Sequence, residues 1–328
     1  WRSKGLKTPK VGSLQTRYFG TCDSCKMLVW GIEDGTEKIE CPTCKQEVHC
    51  HGKKLIEPLE GFVGELVESK RIGEKRPRTV SKTEIHFMQQ WDGEAFRESV
   101  GYQGGSVRLK YAGNGNICIL NKGRGSGYEV CSYCHAAAVK GHGLHHETWC
   151  KNKKQGGTPY AALGTTFTTD VLELTFDLKD ESSIEEEDWR SLMWAIVAGA
   201  VSLLQIPESE IGATTYRSTW ENAAAILLYD DVPGGAGRVL RLREQVEQLI
   251  DAAYRKVSEC TCGVESCCYG CLCNYFNQRE HASLSRGAAL RILDRLRGGA
   301  GGGSGAKSER GDEGLATEDA FEAGASKG

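Results

Sequence analysis

Cysteines have the clearest capacity for chemistry in this sequence, because most of the fifteen stand in closely spaced pairs. Such neighbours can chelate one ion but cannot easily bridge distant loops, so metal is a better reading than a disulfide framework. Cys22-Asp-Ser-Cys25 and Cys41-Pro-Thr-Cys44 are separated by fifteen residues. Two such steps joined by a short hairpin, here MLVWGI and EKIE around Glu33-Asp34-Gly35, make the layout of a zinc ribbon. Four thiolates fill the tetrahedral shell of zinc and leave no position for water or substrate, so the role is structural. His49, Cys50 and His51 follow too closely to be needed as ligands. Cys131-Ser-Tyr-Cys134 is a further knuckle, and His142, His145, His146 and Cys150 come after it. One histidine and Cys150 can close a second tetrahedral site. Spacing leaves the choice of histidine open; His145 is taken as the ligand, and a metal-free surface cluster of histidines is the rival reading. Six further cysteines, Cys260, Cys262, Cys267, Cys268, Cys271 and Cys273, fall within fourteen residues. A four-ligand choice of Cys260, Cys262, Cys268 and Cys271 leaves Cys267 and Cys273 over, and adjacent Cys267 and Cys268 cannot comfortably face one ion. A cubane iron-sulfur cluster would use the same thiolates, and softness alone does not separate the two.

Carboxylates make the second candidate. Asp230 and Asp231 end the apolar run AAAILLY, and Pro233, Gly234, Gly235 and Gly237 reverse the chain before a helix begins. The carboxyl end of a buried strand before a helix start is where open α/β sheets often bind ligands, and the glycines would let a phosphate approach the backbone closely. The two carboxylates could instead hold Mg²⁺ for phosphodiester cleavage, or cap the helix. Capping is preferred, because no GK(S/T) follows the glycines as a phosphate loop requires. A basic stretch, KRIGEKRPRTVSK from Lys70 to Lys82, is a solvated loop unless the partner is a nucleic acid, in which case it could contact phosphates.

Periodicity outlines the elements that must hold these groups. Residues 1–20 form a polar, basic lead-in. SVRLKYA and ICILN read as two strands, with AGNGN between them as a hairpin turn. LGTTFTTDVLELTFDL alternates Leu172, Leu174, Phe176 and Leu178 with Glu173, Thr175 and Asp177, a strand with one buried face. Ser183 with Glu186 predicts a capping box before EEDWRSLMWAIVAGAVSLLQI, a helix apolar nearly all round that Pro207 terminates. From Arg238 to Val257 the apolar residues keep one helical face, as do Leu284, Ala288, Ile292 and Leu296. Strand, acidic glycine turn and helix form an α/β unit. The expected fold class is therefore α/β in the mixed α+β sense. A zinc ribbon occupies 1–60, a β-rich segment with the second knuckle 61–160, an α/β domain with the cysteine cluster 161–297, and a disordered glycine-rich tail 298–328.

Net charge is -3 over 328 residues, and the tail from Gly298 carries that whole excess, so no global attraction to polyanions follows. The longest apolar run, Leu192 to Leu204, is too short to span a bilayer, and no signal peptide opens the chain. A cytoplasmic protein is expected, and a start at Trp1 without Met suggests a fragment.

At LYDDVPGGAGRV and at CTC with SCCYGCLCNYFNQREHASLSR, the chain resembles the MrfA-like zinc-binding domain family. That family is found at the carboxyl end of certain superfamily 2 DNA helicases and in DrmB, a component of the DISARM antiphage system. The likeness extends over GYEVCSYC and GTTFTTDVLEL, covering roughly residues 116–297, and includes Tyr275, Asn277, Gln278, His281, Leu284 and Arg286. It implies Cys260, Cys262, Cys268 and Cys271 as the zinc ligands; Cys267 and Cys273 depart from the pattern. It also implies DNA processing. With no GxxxxGK(S/T) loop and no Asp-Glu-x-His box, the chain is expected to have no such catalytic activity alone. A motor would come from an upstream helicase core or, preferably, from a helicase or ATPase partner in a DrmB-like arrangement. The preferred function is a zinc-stabilised accessory module that supports DNA engagement or assembly. The alternatives are a metal-dependent nuclease using Asp230 and Asp231, and a zinc-scaffolded protein interaction module.

Overall fold

Two long strands run through the whole molecule and tie its zinc-rich part to its helical part. The computed structural model describes residues 2–3, 14–25, 27–31, 38–41, 44–50, 54–58, 64–65, 83–88, 95–123, 127–139, 143–154, 161–179, 184–218 and 223–299. In chain order the strands are β1 (Arg2–Ser3), β2 (Leu14–Thr21), β3 (Leu28–Gly31), β4 (Lys38–Glu40), β5 (Glu47–His49), β6 (Lys54–Pro58), β7 (Gly64–Glu65), β8 (Thr83–Phe87), β9 (Phe96–Tyr102), β10 (Gly105–Asn121), β11 (Tyr128–Val130), β12 (Ala137–Val139), β13 (Ala161–Leu178), β14 (Ile211–Ser218) and β15 (Ala223–Asp230). The helices are α1 (Glu186–Leu204), α2 (Arg238–Glu244), α3 (Val246–Ser258) and α4 (Arg286–Arg297). The basic stretch 70–82, Ser183 and the glycine-rich tail beyond Gly299 lie outside the described residues.

The spine is the antiparallel pair β10 and β13, in register from Gly105 against Leu178 to Asn121 against Leu163. At the Gly105 end β10 also pairs with β9, while β13 pairs with β15, which in turn pairs with β14. At the other end β10 pairs with β8, and β13 runs parallel to β6, which leads to β2 and β3. All these pairings except β13 with β6 are antiparallel, and the helices follow or interrupt the strands without forming a parallel crossover series. The fold is mixed α+β, and Asp230 does not sit at the switch point of a doubly wound parallel sheet.

AGNGN does not turn the chain. β10 continues through it with a register shift between Ala112 and Gly115, a bulge that keeps both halves on one partner strand. A Cβ on Gly115 would lie 2.3 Å from Val171 Cγ1, so the glycine is there for close approach. Leu14–Thr21, expected as lead-in, is a strand because Leu14 to Tyr18 pair with β6 and Tyr18 to Thr21 with β3. β3 and β4 are likewise not partners of each other, since β4 pairs with β5.

Both faces of β13 are covered. Leu172, Leu174 and Phe176 join Leu192, Ile196, Ala200, Leu249, Ile250, Ala253, Ile292 and Leu293 in the main core between sheet and helices. On the opposite face Val171 packs with Phe87, Ile117, Leu227 and Tyr229. Glu173 is therefore buried rather than solvated. It stands across from Lys110, whose Nζ is 3.1 Å from Oε1, and it also accepts from Tyr216 OH. A charge buried there needs these partners, because desolvation of an unpaired carboxylate would cost several kcal/mol.

α1 begins at Glu186 with Glu185 as its N-cap and no side-chain cap bond from it, and the expected capping residue Ser183 lies outside the described residues. Its C-cap is Gln205, two residues before Pro207. The helix expected from Arg238 to Val257 is two helices. Gln245 leaves helical geometry, and its N–H bonds Leu242 C=O at 3.1 Å. Buried Val239 and Leu242 before the break and Val246 and Leu249 after it keep helical spacing, so the pattern carries no mark of the break.

Candidate metal centres

Each knuckle is built by the same local backbone device. The Cys22 N–H bonds Met27 C=O at 2.8 Å, the Cys41 N–H bonds Gln46 C=O at 2.7 Å, and the Cys131 N–H bonds Ala136 C=O at 2.9 Å. In the second and third, Lys45 and His135 take positive φ of 63° and 56° and donate back to Cys41 and Cys131 C=O. The turn brings together the two thiols of each of these three Cys-x-x-Cys steps.

Tetrahedral zinc with Zn–S bonds near 2.3 Å requires sulfurs about 3.8 Å apart. Cys22 and Cys44 Sγ are 3.3 Å apart, Cys25 and Cys41 3.5 Å, and all four ligand atoms lie within 4.8 Å of one another. The second group takes in Cys131, Cys134, Cys150 and His146. Cys131 and Cys150 Sγ stand 3.8 Å apart, and His146 Nδ1 is 3.5 Å from Cys134 Sγ and 3.4 Å from Cys150 Sγ. His145 is exposed and outside the group, which corrects the choice of histidine. A turn closed by the Cys150 N–H on Glu147 C=O, 3.0 Å, brings position 146 back over Cys150, and its neighbour points away. The spacing of His146 and Cys150, four apart, was the available signal. His142 lies outside the described residues.

The third group is Cys260, Cys262, Cys268 and Cys271. Cys260 Sγ is 3.5 Å from both Cys262 and Cys268, Cys271 Sγ is 3.7 Å from Cys262, and Cys268 Sγ is 3.9 Å from Cys271. These separations suit one shared ion; in a four-iron cluster each thiolate holds a different metal and the sulfurs stand farther apart. Cys267 and Cys273, left over by the count of ligands, are joined to each other as a disulfide.

Within each group one thiol is shifted toward the thiolate form that a metal needs. Burial pushes the Cys22 thiol up, but bonds from the Cys25 backbone and from Cys44 outweigh it and bring it down to about 7. Cys134 falls to about 6, where backbone bonds from Ala136 and Glu147 and the His146 ring overcome burial. Cys260 falls to about 7 through the Cys262 backbone bond foremost. Backbone N–H groups point at other sulfurs too, from Gly270 to Cys268 at 3.3 Å and from Asn152 to Cys150 at 3.3 Å. The donor sets and their spacing fit zinc.

A polar network supports the third group. Asn277 Nδ2 donates to Leu272 C=O at 2.8 Å, its Oδ1 accepts from the Asn274 N–H at 2.8 Å, and His281 Nε2 lies 2.8 Å from the same Oδ1. Arg286, 8% exposed, donates from Nη1 to Val257 C=O at 2.8 Å in the last turn of α3, and its N–H bonds Ser266 C=O at 2.9 Å. Ser285 caps α4 by accepting from the Ala288 N–H at 3.1 Å. The cysteine loop is thereby clamped between α3 and α4.

Asp230 is fully buried, and its carboxylate accepts from three backbone N–H groups: Ala236 at 2.6 Å, Arg238 at 3.0 Å and Val239 at 3.0 Å. It caps α2 from across the turn. Three donors converging on one carboxylate form an electropositive surround that disfavours a cation. Asp231 is exposed. Periodicity did not mark the residues that pin the turn to β13: Asp170 Oδ2 accepts from the Gly237 N–H at 3.0 Å, and Thr168 C=O from the Gly234 N–H at 2.7 Å.

Comparison with known proteins finds similarity over most of the chain and a family match at this end. Druantia protein DruE of Escherichia coli strain UMEA 4076-1 is 23% identical over 311 residues, which cover 83% of this chain and 16% of that protein. The chain thus spans about a sixth of the relative's length. The crystal structure of the helicase MrfA bound to DNA is similar over 66% of this chain and 25% of its own, at 14% identity and a TM-score of 0.42. A further MrfA crystal structure covers 65% of this chain and 28% of its own, at 12% identity and a TM-score of 0.33. The model of the MrfA Zn-binding domain matches residues 192–272, from α1 to one residue past Cys271, and so includes all four cysteines of the third group and excludes Cys273. Over residues 192–272 the chain is thus similar to the MrfA Zn-binding domain.

Proposed function

We propose that this chain is a zinc-stapled accessory module of a helicase-associated, DNA-processing system that serves in antiphage defence. It works with a helicase motor, carried in the same polypeptide or by a partner. The carrying observation is the set of three four-ligand groups held on one sheet-and-helix body, the third inside the matched domain. Its ligands are Cys22, Cys25, Cys41 and Cys44; Cys131, Cys134, His146 and Cys150; and Cys260, Cys262, Cys268 and Cys271. Each set is closed, so zinc here supplies shape rather than reaction chemistry. Similarity to the Druantia protein DruE supports a defence setting, and the match to the MrfA Zn-binding domain supports a helicase setting. Among the described residues no helix is long and apolar enough to cross a membrane. A gel shift on zinc-loaded protein with duplex and single-stranded DNA over a salt series tests the reading. Affinity that falls with salt is the expected result, because phosphate contacts release counterions. Absence of binding at low salt, with and without a helicase partner, would leave only the protein-interaction alternative.

A further inference from the structure

The second metal group carries an exposed aromatic pair that the scaffold role leaves unused. Tyr133 lies between the ligands Cys131 and Cys134, and Trp149 directly precedes Cys150. The rings stand 5.8 Å apart at 54°, yet Tyr133 is 42% and Trp149 61% exposed. Neither ring rests in a core, although rings of this size are normally largely buried.

One cation lies beside the pair and two more follow it in the chain. Lys151 Nζ sits 6.0 Å from the Tyr133 ring centroid, and Lys151, Lys153 and Lys154 are all exposed. Glu147 is the one acidic side chain in residues 143–154. The lysine turn is tied to the knuckle, with Asn152 Nδ2 donating to Ser132 Oγ at 3.4 Å and its N–H pointing at Cys150 Sγ. Both rings and the lysine turn therefore hang on the same four ligands, which lowers the entropy cost of presenting them.

We propose that Tyr133 and Trp149, flanked by Lys151, Lys153 and Lys154, form a stacking platform for the unpaired bases of single-stranded nucleic acid. Exposed aromatic faces beside backbone-tracking cations are the means by which unpaired strands are held without sequence readout. A protein partner fits less well, since lysine is depleted from protein interfaces whereas aromatics are enriched there. The proposal deepens and rests on the reading that the chain engages DNA.

The test uses the full zinc-loaded chain and fluorescein-labelled oligo(dT), with affinity measured by anisotropy across a salt series. Trp149→Ala is expected to weaken binding roughly five- to hundredfold, from the usual value of one stacked base, whereas Trp149→Phe keeps most of it. Lys153→Ala combined with Lys154→Ala lowers the salt slope by about 1.4, for two lost phosphate contacts. Zinc content equal to the parent's is required of each variant, which separates lost stacking from a lost fold. If the parent binds oligo(dT) and Trp149→Ala binds equally well, or if the parent binds duplex only, the platform is overturned while the DNA reading stands. If the parent binds neither, both fall. Trp149-dependent binding of polyglutamate without oligo(dT) binding would assign the surface to an acidic protein and overturn the proposal.

Discussion

A single thiol can decide whether the loop between α3 and α4 has a structure. Residues 259–285 contain few large aliphatics, and Cys260, Cys262, Cys268 and Cys271 converge there within 4.8 Å of one another. Metal binding supplies folding free energy that such a loop cannot obtain from apolar burial. Cys268→Ser and Cys271→Ser are expected to lose one of three zinc ions and become sensitive to protease. Cys273→Ser keeps all three and loses only the closure of a short loop, about 2 kcal/mol and only when the bridge with Cys267 is oxidised. Zinc analysis and limited proteolysis with and without reductant check this; equal damage from all three would mean that the ligand set is wrong. Asp230 is the other decisive residue. Asp230→Asn removes the charged acceptor of three N–H groups and is expected to cost about 2–3 kcal/mol in urea unfolding, whereas exposed Asp231→Asn stays within about 0.5 kcal/mol. Neither substitution is expected to change phosphodiester cleavage. Robust Mg²⁺-dependent cleavage by the parent, abolished in Asp230→Asn, would restore the nuclease reading.

At the scale of elements, α1 and α3 approach each other closely at Gly199. A Cβ on Gly199 would lie 2.6 Å from Ala253 N and 2.9 Å from its Cα, and backbone cannot yield as a side chain can. Alanine is the better helix former by about 1 kcal/mol, so helix propensity alone predicts that Gly199→Ala stabilises. Overpacking between two helices that both bury their contact faces reverses the sign, and a net loss of about 1–3 kcal/mol is expected. Thermal or urea unfolding decides between them, and a variant at least as stable as the parent would show that the helices can separate freely.

Across the whole molecule, the two ends of the β10 and β13 spine are stabilised by different means. The helical end has a large apolar core from Val107 to Leu296, whereas the small apolar groups beside Cys22 and Cys131 consist largely of the cysteines themselves. Chelation should therefore raise amide exchange first around residues 18–50 and 128–154, with α1 and β15 protected longest, in keeping with the dependence of local opening on buried apolar contact. Hydrogen exchange by mass spectrometry with and without chelator measures this. Uniform collapse of protection would mean that the zinc groups and the helical core unfold as one unit.

Cysteine spacing was enough to mark Cys22, Cys25, Cys41 and Cys44 as one group, because two Cys-x-x-Cys turns are local structures and carry their geometry in a few residues. Alternation likewise marked β13, and the continuous apolar run marked β15, since burial of a strand face is written in its own side chains. What lay beyond local pattern was decided by contacts between distant segments. AGNGN has the composition of a hairpin turn, yet β13 lies alongside both halves of β10 and holds the strand extended. Glu173 has the alternation of a solvent-facing residue, yet Lys110 and Tyr216 meet it under a second layer of side chains. His145 and His146 are equivalent by composition, and the turn at Glu147 to Cys150 selects His146. Hydrophobic and ligand patterns record what a residue can bury or bind, while register, bulges and the second face of a sheet depend on which partner arrives, and that is a property of the folded chain alone.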